Sequence, residues 1–237
     1  MGAEDVLAFI AAVAAHPAYT ARFAPDLVKP GLRIPLTAEA QLFAEAAELG
    51  RKIVWLHTFG ERFSDPARGR PMSPPRQPDG PFVPAAGAIP LDAASMPDSI
   101  DYDPDSRRLH IGAGFIERVD PRVWAYEISG KRVLRHWFSY RRKSRERPII
   151  GDRRPPSPLG EIQPDQWLAA YTSELINVLH VLAGLIELEP TQAGLLERIC
   201  ASPTISLDEL SKHGALQQIP APRQIRAPAP GDATLLD

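Results

Sequence analysis

The chain has 237 residues, 44% of them hydrophobic, with 26 Pro, a single Cys and a formal net charge of −2. That length suits one ordinary domain with appendages or two small ones, and a Pro content about twice the usual ~5% predicts much loop. The lone thiol, Cys200, excludes a disulfide framework and a thiolate zinc cluster; it fits a reducing cytosol.

Glu4 and Asp5 precede the first apolar run, where a secretory leader would carry cations, and VLAFIAAVAA is about half of the ~20 residues that a bilayer span needs. A cytoplasmic chain without membrane contact is the expectation. Val6, Leu7, Phe9, Ile10 and Val13 predict a helix over 3–15, broken at His16-Pro17, and a short helix follows around 18–24. Thr37 is placed to cap a long helix over 38–57, in which the internal Gly50 weakens the propensity by ~1 kcal/mol relative to Ala. These elements form an N-terminal helical segment, 1–63. Residues 64–98 hold nine Pro with no sustained period and read as an extended linker.

A second module is expected over 99–201. Ile100 and Tyr102, Leu109 and Ile111, then Phe115 predict short strands separated by Asp-Pro-Asp-Ser and Gly-Ala-Gly turns, a small antiparallel meander. A basic helix follows over 130–143, then a Pro-rich turn, and then an amphipathic helix over 165–188 with Leu168, Tyr171, Leu175, Leu179, Leu182 and Ile186 on one face. Thr191 is placed to cap a further helix to about 201, and a disordered tail is expected over 202–237. The fold class is α+β, predominantly helical.

The charge is polarised. Residues 131–154 carry ten Lys/Arg against Glu146 and Asp152, net +8, and the remaining chain is net −10. On a helical wheel, Val133, Leu134, Trp137, Phe138 and Tyr140 share one arc and read as core anchors. Lys131, Arg132, Arg135, Arg142 and Lys143 fill the other arc, with Arg141 on the apolar side. An all-cationic face is a footprint for a polyanion, and Lys131 and Arg132 at a helix start would form an anion site. Arg145, Arg147, Arg153 and Arg154 extend the cluster. Salt bridges to the acidic remainder, or an acidic protein partner, remain alternative uses of this charge.

Catalytic signatures are missing. There is no Walker motif, HExxH or GxSxG, and Ser73-Pro74-Pro75-Arg76 lacks the aromatic residue of an adenine methyltransferase tetrapeptide. The six His have no metal-ligand spacing; His57 and His180 read as structural. No cofactor and no metal are expected.

The runs VWAYEISGKRVLRHWFSYRR (123–142) and RPIIGDRRPPSPL (147–159) resemble the C-terminal specificity domain of Type ISP restriction–modification enzymes. Those are large single chains that combine nuclease, helicase, adenine methyltransferase and target recognition. HPAYTARFAPDLVKPGLRIPLT (16–37) and AELGRKIVWLHTFGERF (47–63) resemble the segment that joins methyltransferase to recognition domain there, so the likeness runs over about 5–201. It implies double-stranded DNA as ligand, with Lys131, Arg132, Arg135, Arg141 and Arg142 near it; the catalytic motifs of the family being absent, the expectation is either a separate methyltransferase or helicase–nuclease subunit as partner or a remnant of a truncated gene. The rival readings are a module for an acidic protein and an adenine methyltransferase active on its own.

Overall fold

The computed structural model describes residues 2–29, 33–143 and 164–214. Helices α1 (Ala3–Ala14), α2 (Pro17–Arg22), α3 (Ala24–Leu27) and α4 (Ala40–His57) form the N-terminal layer. A three-stranded antiparallel sheet follows, with β1 (Ile100–Asp103), β2 (Arg108–Ile111) and β3 (Gly114–Ile116) in chain order. Then come α5 (Pro121–Ala125), a hairpin of β4 (Glu127–Ile128) and β5 (Lys131–Arg132), and the short α6 (Val133–Ser139). The 33-residue α7 (Ala169–Ala201) and α8 (Leu207–Lys212) complete an α+β fold.

The meander matches its sequence pattern, with Leu109 opposite Ile116 and Tyr102 opposite Leu109. The apolar positions of α1 and α4 also pack as their period predicts. Phe9 stacks on Phe43 with ring centroids 4.8 Å apart, and Ala8, Ala12, Ala46 and Ala47 let the two helices approach closely. Gly50 is the tightest point: a Cβ there would lie 1.6 Å from the Ala8 carbonyl oxygen. The residue that weakens α4 in isolation is what permits the helix pair.

Two apolar cores result, and α7 belongs to both. Leu175, Leu179, Leu182 and Ile186 join the sheet, α5, α6 and Trp167. Val181, Leu185, Leu195, Leu196 and Ile199 join α1, α2 and α4. Expecting a new helix at Thr191 was wrong: α7 runs through Pro190 without ending. An internal Pro costs about 3 kcal/mol, and burying Leu195, Leu196 and Ile199 beyond it outweighs that at about 1.5–3 kcal/mol each. Gln192, just beyond, donates from Nε2 to the Ala12 carbonyl at 3.1 Å and fixes this end of α7 to α1.

The Pro-rich stretch 64–98 is fitted to both cores rather than extended as a linker. Arg70 is only 4% exposed, pairs with Glu48 at 2.6 Å and donates to the Phe63 carbonyl. Trp55 Nε1 donates to the Pro71 carbonyl at 2.9 Å, and Phe82 bridges to Glu117. Ile89 and Met96 enter the second core. Pro-rich sequence lacks a period but loses less conformational freedom on ordering, so it can line a core without regular structure.

The expected tail is also partly ordered. Thr37 does not cap α4, whose N-cap is Glu39; it pairs with Thr204, and its Oγ1 meets Ser202 Oγ at 2.7 Å. Ser206 and Glu209 then form a capping box that starts α8. Residues 215–237 lie outside the described residues.

Two histidines are buried. His180 accepts the Gln77 N–H on Nδ1 at 3.0 Å, and His16 is 5% exposed. Burial lowers both pKa values; Arg76 adds to the shift at His180, while the Pro81 and Val13 carbonyls oppose it at His180 and His16.

Gly50→Ala is expected to destabilise the chain by about 1–3 kcal/mol or more through the α1–α4 clash. Gly194→Ala, in the same chemistry on an open face of α7, is expected to be neutral or stabilising by up to ~1 kcal/mol. Paired thermal melts check the opposite signs. The lowered histidine pKa values mean that the unfolded chain binds more protons once pH drops below about 6.5. Stability is therefore complete above that pH and lost as pH falls toward the folded-state values. Melts between about pH 7.5 and about pH 5 should show this loss, and His180→Asn, which keeps an acceptor but cannot titrate, should reduce it.

Candidate nucleic-acid interface

The cationic stretch starts from a turn rather than a helix. Asp120 caps α5 by accepting the Arg122 N–H at 2.7 Å. The chain then extends through Tyr126 into β4. Ser129 and Gly130 both have positive φ, 51° and 76°, the combination that a two-residue type I′ loop requires. Glu127 pairs with Arg132 and Ile128 with Lys131 across the hairpin, and the Val133 N–H bonds to the Tyr126 carbonyl at 3.0 Å.

The expected basic helix over 130–143 is thereby corrected. Lys131 and Arg132 are strand residues, and only Val133–Ser139 are helical. Arg132 is the N-cap of α6 and Lys131 precedes it, so neither lies in the first helical turn where it was expected. The Ser-Gly dipeptide between an extended Tyr-Glu-Ile and a Lys-Arg-Val run was the available signal, and the helical wheel overrode it.

The base of the hairpin is fixed while its tip is open. Half-buried Tyr126 lies beside Glu189 of α7, and burial raises the pKa of both groups. On the other side, Leu134 and Phe138 are buried in the second core. Both residues of each strand are exposed, and nothing lies within 4 Å of a Cβ built at Gly130. A cleft of about 590 Å³, lined by His16, His57, Tyr126 and Glu127, separates the hairpin from the α1–α2 corner.

The cations divide into two groups. Lys131, Arg132, Arg135, Arg142 and Lys143 are exposed. Arg135 lies over the Trp124 ring at 4.7 Å, and Arg132 is 3.9 Å from Glu127, the outer limit of an ion pair. Lys131, Arg142 and Lys143 pair with no carboxylate among the described residues. Arg141 is different. Its guanidinium lies 4.2 Å from the Trp137 ring centre and 5.5 Å from that of Tyr171, donates to the Trp137 carbonyl, and pairs with Glu174 at 3.0 Å. It clamps the end of α6 to α7. Arg145, Arg147, Arg153 and Arg154 lie outside the described residues.

Of the five expected core anchors, Leu134 and Phe138 are buried and Val133 and Trp137 are half-buried. Tyr140 is the exception: it is 72% exposed beside the cations, edge-on to His136 at 5.1 Å. α6 ends at Ser139, so Tyr140 leaves the apolar arc that a longer helix would have given it. Glu127 was missed by the sequence reading because it lies outside 130–143, and only the hairpin brings it to this face. No group of His, Cys, Asp and Glu among the described residues is arranged to hold a metal ion.

The family model of the Type ISP C-terminal specificity domain matches residues 1–176. The chain belongs to that family. No curated protein matches it. Among solved structures it is similar to a nuclease-deletion mutant of the Type ISP restriction–modification enzyme LlaGI in complex with a DNA substrate mimic, at 19% identity and a TM-score of 0.49. That similarity covers 84% of this chain and 14% of the other. A second similar structure is the DrdV–DNA complex, at 16% identity and a TM-score of 0.44, covering 86% of this chain and 18% of the other. The chain thus spans less than a fifth of the length of either.

Because Arg141 is clamped mainly by stacking in a partly exposed site, Arg141→Ala is expected to cost about 1–2 kcal/mol. Arg141→Lys should recover only a minor part, for lack of a planar group to stack, and Glu174→Gln should cost less than about 1 kcal/mol. Denaturant titrations of the three variants check that order.

Proposed function

We propose that the chain is a non-catalytic module that recognises a target sequence in double-stranded DNA for a restriction–modification system. The observation that carries this reading is the group of exposed cations, Lys131, Arg132, Arg135, Arg142 and Lys143, on a hairpin–helix unit packed against α7. Membership of a specificity-domain family supports selection as the role, and exposed cations on a fixed support suit a phosphate backbone. The net charge of −10 outside residues 131–154 strengthens the polarity. An acidic remainder is repelled by DNA, so it turns the cationic face toward the duplex.

In this reading the exposed cations fix the register of the module on the duplex, and Arg141 acts indirectly by holding α6 in place. Methyl transfer and strand cleavage belong to other parts of the system, whether a separate methyltransferase or helicase–nuclease subunit or further polypeptide. An acidic protein partner would be held by the same charges, so the decisive measurement uses DNA itself.

Fluorescence-anisotropy titrations of the 237-residue chain with a labelled duplex should give a log K that falls with log salt at a slope near about −4, for four to five neutralised phosphates. Lys143→Ala should make that slope shallower by about 1. A slope near zero, or no binding at low salt, overturns the proposal.

A further inference from the structure

We propose that the β4–β5 hairpin enters the major groove of the duplex and that Glu127 and Arg132 together read one cytosine–guanine pair there. This deepens the DNA reading above and rests on it.

Dimensions select the groove. Two paired strands lie about 4.8 Å apart, so a ribbon with its side chains fits the ~12 Å major groove and not the ~6 Å minor groove. From Tyr126 to Ser129 the extended chain advances about 10 Å, against a major-groove depth of ~8.5 Å. The seven residues of α6 make only about two turns and bury Leu134 and Phe138, which leaves the exposed hairpin as the element with an open tip.

Chemistry selects the base pair. Phosphate contact alone gives a carboxylate no role: Glu127 would be repelled by the backbone that its neighbours attract. Yet Glu127 is directly opposite Arg132 on the same face of the ribbon, and both are about half exposed, at 55% and 46%. At 3.9 Å this exposed pair is worth about 0–1 kcal/mol, so either side chain can turn to another partner at little cost. A guanidinium fork matches O6 and N7 of guanine, and a carboxylate accepts from N4 of cytosine. Side chains directly opposite on a ribbon have Cβ atoms about 4.5–5.5 Å apart, close enough to serve the two halves of one pair. The base of the hairpin, closed by the Val133 N–H on the Tyr126 carbonyl and followed by buried Leu134, supplies the rigidity that base reading needs. Arg135, Arg142 and Lys143, on and just beyond α6, are left for the phosphates at the groove edges.

The test begins with selection of duplexes from a randomised pool by the full chain, followed by titrations of the selected duplex and of its single-pair variants. Glu127→Gln and Arg132→Gln should each reduce discrimination at the same guanine–cytosine pair by about 10- to 100-fold, with selectivity elsewhere and melting temperature unchanged. Lys143→Ala should weaken all duplexes by a common factor. The inference is overturned if either Gln variant weakens all duplexes equally, if the two relax different pairs, or if the unaltered chain binds DNA without preference. Failure of the unaltered chain to bind any duplex overturns the DNA reading, and this inference with it.

Discussion

Burial of α7 on two sides is the constraint from which the rest of the structure follows. The helix gives one set of leucines to the sheet and another to the α1–α4 layer. A helix that is apolar nearly all round has to be surrounded, and here it is surrounded by two otherwise separate cores. That explains why Pro190 can stand inside α7 and why the chain on both sides of 64–98 forms one body. It also accounts for the length and apolarity of α7, which match those of a membrane span while 44% of its most apolar window is buried within the protein.

The same helix positions the functional surface through a polar seam. Glu174 meets Arg141, Asn177 accepts from Arg76 at 2.5 Å, and His180 accepts from Gln77. Positions three apart lie along one face of a helix, so one edge of α7 fixes α6 and the Pro-rich segment together. Farther along, Glu189 lies beside Tyr126 at the base of the hairpin. The hairpin alone, with two residues per strand, would be at best marginally stable in water. Its conformation is imposed from α7 and from the Ser129-Gly130 turn.

Elements with a local signature were legible in the sequence. The period of α1 and α4, the alternation in the meander and the Leu175–Leu179–Leu182–Ile186 stripe each record which side is buried. What was not legible depends on distant partners. Thr37 reads as a cap because nothing nearby reveals Ser202, and Pro190 reads as a break because its compensation comes from two cores. The candidate site was half legible: the charge cluster was plain in the composition, and the structure confirms that five of its cations are exposed. Their arrangement was misread, because seven helical residues and a hairpin can show the same apolar spacing as one longer helix. That error hid Glu127 and misassigned Tyr140.

The difference between helix and hairpin changes what the charge can accomplish. The cations on and just beyond α6 suit phosphates, which carry no sequence information. A ribbon projecting from a fixed base can place side chains beyond the phosphate cylinder, where base edges differ. The long polar side chains of α7 and the stacked Arg141 have a specific part in this. They restrict motion where the hairpin and α6 emerge, so that a duplex bound as proposed would meet residues already oriented, which lose less freedom on binding. The charge supplies attraction without selectivity, and the anchored ribbon is the element through which selectivity could enter.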